Sequence, residues 1–521
     1  VDKNGNKTQY SYDDKGNLIK IQDALGNKTE ITYNENKKPL KIKSPRGGCI
    51  TYVYDNKGNI IEKTNPNGNT IYIDYNEKNQ AIYIKQPDGS HINIDYDERG
   101  NMIKITDEMN NNLVYKYDSL NRITGITDGN GNHTKYYYNE QNDLIKIKNA
   151  FDRELIYEYG ANGKVTQITD FDGTTQKMWY DSCNRPIRYE NQEGNIAEFT
   201  RDKLGNLICE KMPNGAETHF VYDRNNKMIA YIDPMGGKTK FAYDACGNCI
   251  RIEDAEGHIK KYSYDSLNRV IEETDANNNC IKYSYDEEGH LTSIIDVLGN
   301  QRTIEYDKSG RKIREINALG NVANYSYNSL GKISQIDDGM GNVVFYEYYY
   351  GGLLKCINYP NGHRINYSYD GNRNVIEKWD EQEYHLYYDY DELNRIVSIR
   401  SNEGQKIKYG YDAVGNVTSI IDVEGNITKY TYSPTGKLIV VEDKEGNLTR
   451  YSYDKIGDLA AIFRTGNEEE QKMTFEEAIN LNKEQHDLHL TLYERDLAGR
   501  ITTITDSLGF QEKYTYNIIG Q

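Results

Sequence analysis

The stretch Tyr10-Ser11-Tyr12-Asp13-Asp14-Lys15-Gly16-Asn17-Leu18-Ile19-Lys20-Ile21-Gln22-Asp23-Ala24-Leu25-Gly26 decides the fold. Tyr10 and Tyr12 stand two apart, so on a strand they share one sheet face. Asp13 through Gly16 has the chemistry of a type I turn closing into a left-handed residue: the Asx side chain caps the turn and glycine accepts a positive φ. Leu18, Ile19 and Ile21 give a second short strand. Asp23-Ala24-Leu25-Gly26 then repeats the turn. Two strands and two turns fit into 21 residues.

Stepping by 21 from Tyr12 shows that this unit fills the chain. Of 25 positions on that comb, 22 are Tyr, the exceptions being Arg201, Thr474 and Arg495. The next column is Asp or Asn in 21 of 25, as in Tyr54-Asp55, Tyr96-Asp97, Tyr264-Asp265, Tyr411-Asp412 and Tyr453-Asp454. Four residues after the anchor, Gly or Asn occurs in 22 of 25. Fourteen after it, the same pair occurs in 21 of 24, and these two columns (Gly16 and Gly26 in the first repeat) hold 33 of the 44 glycines. No insertion or deletion shifts the register. The anchor column and the column two residues before it hold 38 of the 48 tyrosines. They must line one face, repeat after repeat.

Composition agrees with a thin array and excludes other classes. The chain has 521 residues, 37% apolar and 27% charged, and a mean hydropathy of −0.85. A disordered chain would lack so many aromatics, and a solid globule would carry more aliphatic residues. No run approaches the 18 apolar residues of a membrane helix. A net charge of −17 opposes a nucleic-acid partner.

The expected fold is therefore all-β: 21-residue repeats of two antiparallel strands, forming one array over residues 1–521. About 50 strands at roughly 4.8 Å each make a ribbon about 240 Å long. An open twisted sheet rarely exceeds about 10 strands without curling. The ribbon is expected to spiral, so that successive turns of the spiral cover one another's edges and enclose a hollow shell.

Units such as Tyr264-Asp265-Ser266-Leu267-Asn268-Arg269-Val270 and Tyr411-Asp412-Ala413-Val414-Gly415-Asn416-Val417 resemble the YD (RHS) repeats. These occur in bacterial Rhs and wall-associated polymorphic toxins, in shell components of insecticidal Tc toxin complexes and in teneurins. The resemblance covers essentially the whole chain. It implies a spiral β-shell that holds a variable C-terminal toxic domain in the toxins and supports adhesion in teneurins. Two features depart from the toxins. Asp233-Pro234-Met235-Gly236-Gly237 is an ordinary second turn in register rather than a core-closing segment, and no cargo domain follows it. The chain reads as a segment of a longer polypeptide.

Candidate sites outside the comb are few. Residues 465–492 form a divergent repeat, in which Thr474-Phe475-Glu476-Glu477 predicts a capping box opening a short helix through Ala478, Ile479 and Leu481. Thr474, Phe475, His486 and His489 are the candidate partner contacts; the plainer reading is a decayed repeat on the outer wall. His486 and His489 with Glu484 lack a convergent third ligand for a metal. Seven scattered cysteines form no disulfide framework. Cys246-Gly247-Asn248-Cys249 is formally CxxC, but its middle residues are routine turn residues and no second pair exists.

The regular Asp residues are turn caps. Neither they nor the small breaks at Gly160, Arg201, Tyr349 and Ser433 bring together a nucleophile, a base and an oxyanion donor. No catalytic, cofactor-binding or metal residues are assigned, and the ligand density of a calcium repeat is missing. The expected function is a non-catalytic shell, secreted or on a bacterial surface, enclosing a C-terminal effector of the same polypeptide. The alternative is a surface adhesin whose tyrosine-rich face stacks on glycans or meets a protein partner. Its plainer counterpart is that the tyrosines pack within the wall.

Overall fold

The computed structural model describes residues 1–465, 468–485 and 488–521. The described residues contain 47 strands, all in one antiparallel sheet in which each strand pairs with its neighbours in sequence. Each regular repeat contributes a tyrosine strand, such as Lys28–Tyr33, and a return strand, such as Leu18–Gln22.

The two ladders of a return strand are unequal. The strand Gln9–Tyr12 pairs with Leu18–Gln22 in the register Tyr10↔Ile21, Ser11↔Lys20, Tyr12↔Leu18, with a bulge at the anchor tyrosine. The same bulge recurs at Tyr54, Tyr264, Tyr411 and Tyr453. On its other side Leu18–Gln22 pairs only from Lys20 to Gln22. The Leu18 carbonyl lies past the end of that short ladder. A bulge at one fixed column gives every hairpin the same local bend and twist.

Burial follows the period of two. Along Lys28–Tyr33, residues Thr29, Ile31 and Tyr33 are half-buried while Lys28, Glu30 and Thr32 are exposed. The tyrosine face is thus the better covered of the two. Most apolar side chains are only half-buried, as a wall one sheet thick requires.

The turns adopt the backbone the sequence demands. Gly16 and Gly26 have φ of 81° and 90°. At four positions where these columns carry neither Gly nor Asn the backbone is still left-handed: Lys37 at 59°, Asp152 at 61°, Arg373 at 68° and Glu383 at 59°.

The chain divides into two compact units. One comprises Val1–Asn132, Ala242–Ile252 and Ile259–Leu386; the other comprises His133–Phe241, Glu253–His258 and Tyr387–Gln521. No helix among the described residues is long and apolar enough to cross a membrane.

In the second unit the comb position at Thr474 contributes no strand. The strand Leu459–Arg464 pairs directly with His489–Arg495, in the register Ala461↔Leu492 to Arg464↔His489. The residues between them carry two helices, α1 (Glu468–Lys472) and α2 (Phe475–Gln485). Thr474 caps α2: Glu477 N–H donates to its hydroxyl at 3.2 Å, and the Glu477 carboxylate accepts from Thr474 N–H at 2.7 Å. Here the wall thickens into a packed core of Ala461, Phe463, Ala478, Leu488 and Leu490, with Met473, Phe475 and Ile479 against it.

Candidate functional site

The features that recur along the wall are its turns, its anchor tyrosines and its edges. In the first turn of a repeat, Asp13 Oδ1 accepts from Lys15 N–H at 3.0 Å and Asn17 N–H at 2.8 Å, while Oδ2 accepts from the Asn17 side-chain amide at 2.8 Å. Asp55, Asp97, Asp265, Asp412 and Asp454 hold the same position. The Asn17, Asn59 and Asn101 amides hold the carboxyls of Asp13, Asp55 and Asp97 below their ordinary range. At Asp265 burial pushes the other way, and the Arg269 guanidinium and N–H outweigh it.

Most anchor tyrosines spend the hydroxyl on the wall itself. Tyr33 donates to the Leu18 carbonyl at 2.9 Å, the group left over by the short ladder. Tyr54 donates to Pro39, Tyr96 to Ala81, Tyr264 to Cys249, Tyr411 to Ile396 and Tyr453 to Leu438, at 2.6–2.9 Å. Burial pushes the Tyr54, Tyr264, Tyr411 and Tyr453 hydroxyls up, so they stay protonated donors. Tyr12, on the first strand of the array, is 59% exposed. Arg201 and Arg495 stand in the anchor column and serve the same carbonyl from it. Arg201 Nε donates to Pro186 at 3.5 Å and Arg495 Nη2 to Leu459 at 3.1 Å.

A further column, not singled out from the sequence, links one repeat to the next. The fifth residue after the anchor is an amide or a base in most repeats. Asn59 donates to Asn79 at 3.0 Å, Asn101 to Asn121 at 2.9 Å and Arg269 to the Asp286 carbonyl at 3.1 Å. The Arg269, Arg311, Arg395 and Arg500 guanidinium groups also lie 4.5–4.8 Å over the next anchor ring. The signal was legible as a fixed Asn, Arg or Lys at constant spacing.

Within the first unit, second turns of early repeats lie against first turns of late ones. Asn4, Asn67 and Asn130 each donate a side-chain amide to the Asp 240 residues later, Asp244, Asp307 and Asp370, at 2.8, 2.9 and 2.9 Å. At the third of these the clasp is reciprocal, since Asn372 donates to Asp128 at 2.7 Å. Arg46 adds an ion pair with Asp286 at 3.2 Å, and Asp88 accepts from Gly351 N–H at 2.9 Å, capping a turn that begins with Tyr349 instead of Asp. Asp244 is drawn down to about 2, because bonds from Asn4, Asn248 and Gly247 outweigh the upward push of burial. The second unit has its own set: Arg153 donates to the Asp412 carbonyl at 3.0 Å, and Thr435 donates to Glu193 at 2.7 Å.

The candidate partner residues fall around the helices. Thr474 is the cap of α2. Phe475 meets Phe463 edge-on at 6.4 Å between ring centres, beneath the helix. His489 is exposed at the start of its strand. His486 lies outside the described residues. Arg450 donates to the Gln471 and Met473 carbonyls and Gln471 donates to Gly446 at 3.0 Å, fastening the end of α1 to the sheet. Gly160 and Ser433 leave their turns intact: the Asn162 side-chain amide oxygen and the Ser433 hydroxyl accept the capping bonds instead. All seven cysteines are free, Cys246 and Cys249 among them.

The teneurin YD-shell family model matches residues 2–134, 124–259 and 219–374, and the RHS repeat model matches residues 390–427. No curated protein matches the chain. Among solved structures, TcdB2-TccC3-TEV is similar over 98% of this chain and 34% of its own, at 13% identity and a TM-score of 0.63. TcdB2-TccC3 is similar over 96% and 37%, at 10% identity and 0.54. A Tc holotoxin pore from Photorhabdus luminescens is similar over 96% and 28%, at 14% identity and 0.50. The chain thus spans about a third of the length of these structures, and the likeness is one of fold. An all-β repeat wall whose turn and anchor columns hold along its length, matched by that model over most of its residues, belongs to the teneurin YD-shell family.

Proposed function

We propose that this chain is wall from a secreted, non-catalytic shell that encloses and shields a C-terminal effector of the same polypeptide. The observation that carries the reading is the contact of turn rows within each unit. A wall one sheet thick can enclose space only where rows of turns from distant repeats meet. Here such rows meet through Asn–Asp and Arg–Asp contacts, which hold distant repeats of the wall together. Enclosure then needs no catalytic group. The physics is confinement of one polypeptide segment by another.

The adhesin reading has no observation in its favour. A glycan platform would use the tyrosine rings and hydroxyls, and most anchor hydroxyls are engaged with wall carbonyls. The intact mass and C-terminal sequence of the native polypeptide test the proposal. A small unrelated domain beyond the repeats is the expected result; repeats running on into a wall or membrane anchor would overturn it.

A further inference from the structure

The return strand Leu207–Lys211 pairs with the tyrosine strand Glu217–Tyr222 in the register Cys209↔His219 and Lys211↔Glu217. Directly opposed residues share a face, and so do residues two apart on one strand. Cys209, His219, Lys211 and Glu217 therefore form a square on one side of the sheet. Cys209 Sγ, a Glu217 carboxylate oxygen and a His219 ring nitrogen all lie within 4.8 Å of one another. His219 Nε2 is 3.6 Å from Glu217 Oε2, and Lys211 Nζ is 3.3 Å from Glu217 Oε1. In the first repeat the corresponding positions hold Lys20, Glu30 and Lys28, a set with no thiol or imidazole. Among the described residues, no other three metal-ligating side chains converge in this way.

We infer that Cys209, Glu217 and His219 bind one divalent transition-metal ion of the zinc class, with a fourth position open to water or to a donor from another molecule. Thiolate, imidazole and carboxylate together are the donor set that zinc and cobalt take in tetrahedral sites. Bond lengths of about 2.0–2.3 Å put neighbouring donors of such a site about 3.3–3.7 Å apart. The His219–Glu217 pair already stands at that separation, and the Cys209 sulfur lies within 4.8 Å of both. Lys211 engages the far carboxylate oxygen and leaves Oε2 aimed at the site, as an outer partner that orients a ligand does. In sequence the set is disguised, because Cys209 is separated from its partners by a routine turn and each residue alone fits a solvated strand face.

Cobalt(II) titration of the whole chain under reducing conditions tests the site. The expected result is one ion per chain with tetrahedral d–d bands and a sulfur-to-cobalt charge-transfer band. Cys209→Ser should abolish the charge-transfer band, and His219→Gln should weaken binding about tenfold or more. Cys246→Ser and Cys249→Ser should leave the spectrum unchanged. No charge-transfer band in the wild-type chain, or a band that survives Cys209→Ser or disappears with Cys246→Ser or Cys249→Ser, would overturn the assignment. Far-UV circular dichroism of the variants separates loss of ligand from loss of fold.

Discussion

Gly129 and Gly371, from distant repeats of the first unit, meet backbone to backbone: a Cβ on Gly371 would stand 2.5 Å from the Gly129 carbonyl oxygen, and one on Gly129 would meet the Gly371 carbonyl. The Asn130–Asp370 and Asn372–Asp128 bonds flank this contact. Neither glycine has a positive φ, so each is required by the closeness of the approach.

A methyl group at either position must push the two turns apart. Gly371→Ala is expected to cost about 1–3 kcal/mol at this contact, the usual cost of overpacking. Hydrogen exchange resolved to single turns should show faster opening at Asp128–Asn132 and at residues 370–374, with distant repeats unchanged. Unchanged exchange would show that the contact adds nothing to the wall.

Tyr54→Phe keeps the ring and deletes the donor to the Pro39 carbonyl. The expected loss is about 1 kcal/mol, that of one hydrogen bond, confined to neighbouring strands. Arg201→Leu should cost a similar amount, because Arg201 serves the Pro186 carbonyl from the same column. A neutral Arg201→Leu would make that residue an accidental break in the comb.

Lys37 holds a left-handed backbone that costs a non-glycine residue roughly 1–2 kcal/mol. Lys37→Gly should therefore slow local opening of its turn, despite losing an exposed contact from Lys37 Nζ to the Lys15 carbonyl. Faster exchange would refute the strain.

A set of turn aspartates sets the response to acid. The folded-state values of Asp13, Asp55 and Asp97 lie below the ordinary value of 3.8, with Asp244 at about 2. A depressed carboxylate stabilises the fold above its unfolded value, and that contribution is lost as pH falls through the folded one. Thermal stability should be flat from neutral pH down to about 5 and fall steeply between about 4 and 2. A melt that is insensitive across that range would contradict the capping role.

Phe463 is fully buried beneath α2. Phe463→Ala is expected to cost about 3–5 kcal/mol locally, release α1 and α2 to proteolysis and leave the remaining strands protected. Helices as resistant as before would show that they do not depend on this core.

The strands and turns were legible because each repeat states them in Asp, Gly and paired apolar residues. The purpose of the tyrosine was not, since the Leu18 carbonyl becomes free only through the unequal lengths of two ladders. Arg201 and Arg495 looked like breaks for the same reason. The capping box at Thr474 could be read from four residues, but its docking on Phe463 depends on two strands pairing across the helices. The Asn4, Asn67 and Asn130 contacts were invisible because a 21-residue period does not say how many repeats separate two turns that meet. Cys209, Glu217 and His219 were hidden by the same dependence on register.

The most direct measurement is limited proteolysis of the native full-length polypeptide, read by mass spectrometry, at neutral pH and again after acid opening of the wall. An enclosing wall should leave the segment beyond the repeats uncut at neutral pH and cleaved after exposure to acid, using a protease active in both conditions. Cleavage of that segment at the same rate in both conditions, with the repeats still intact, would contradict enclosure.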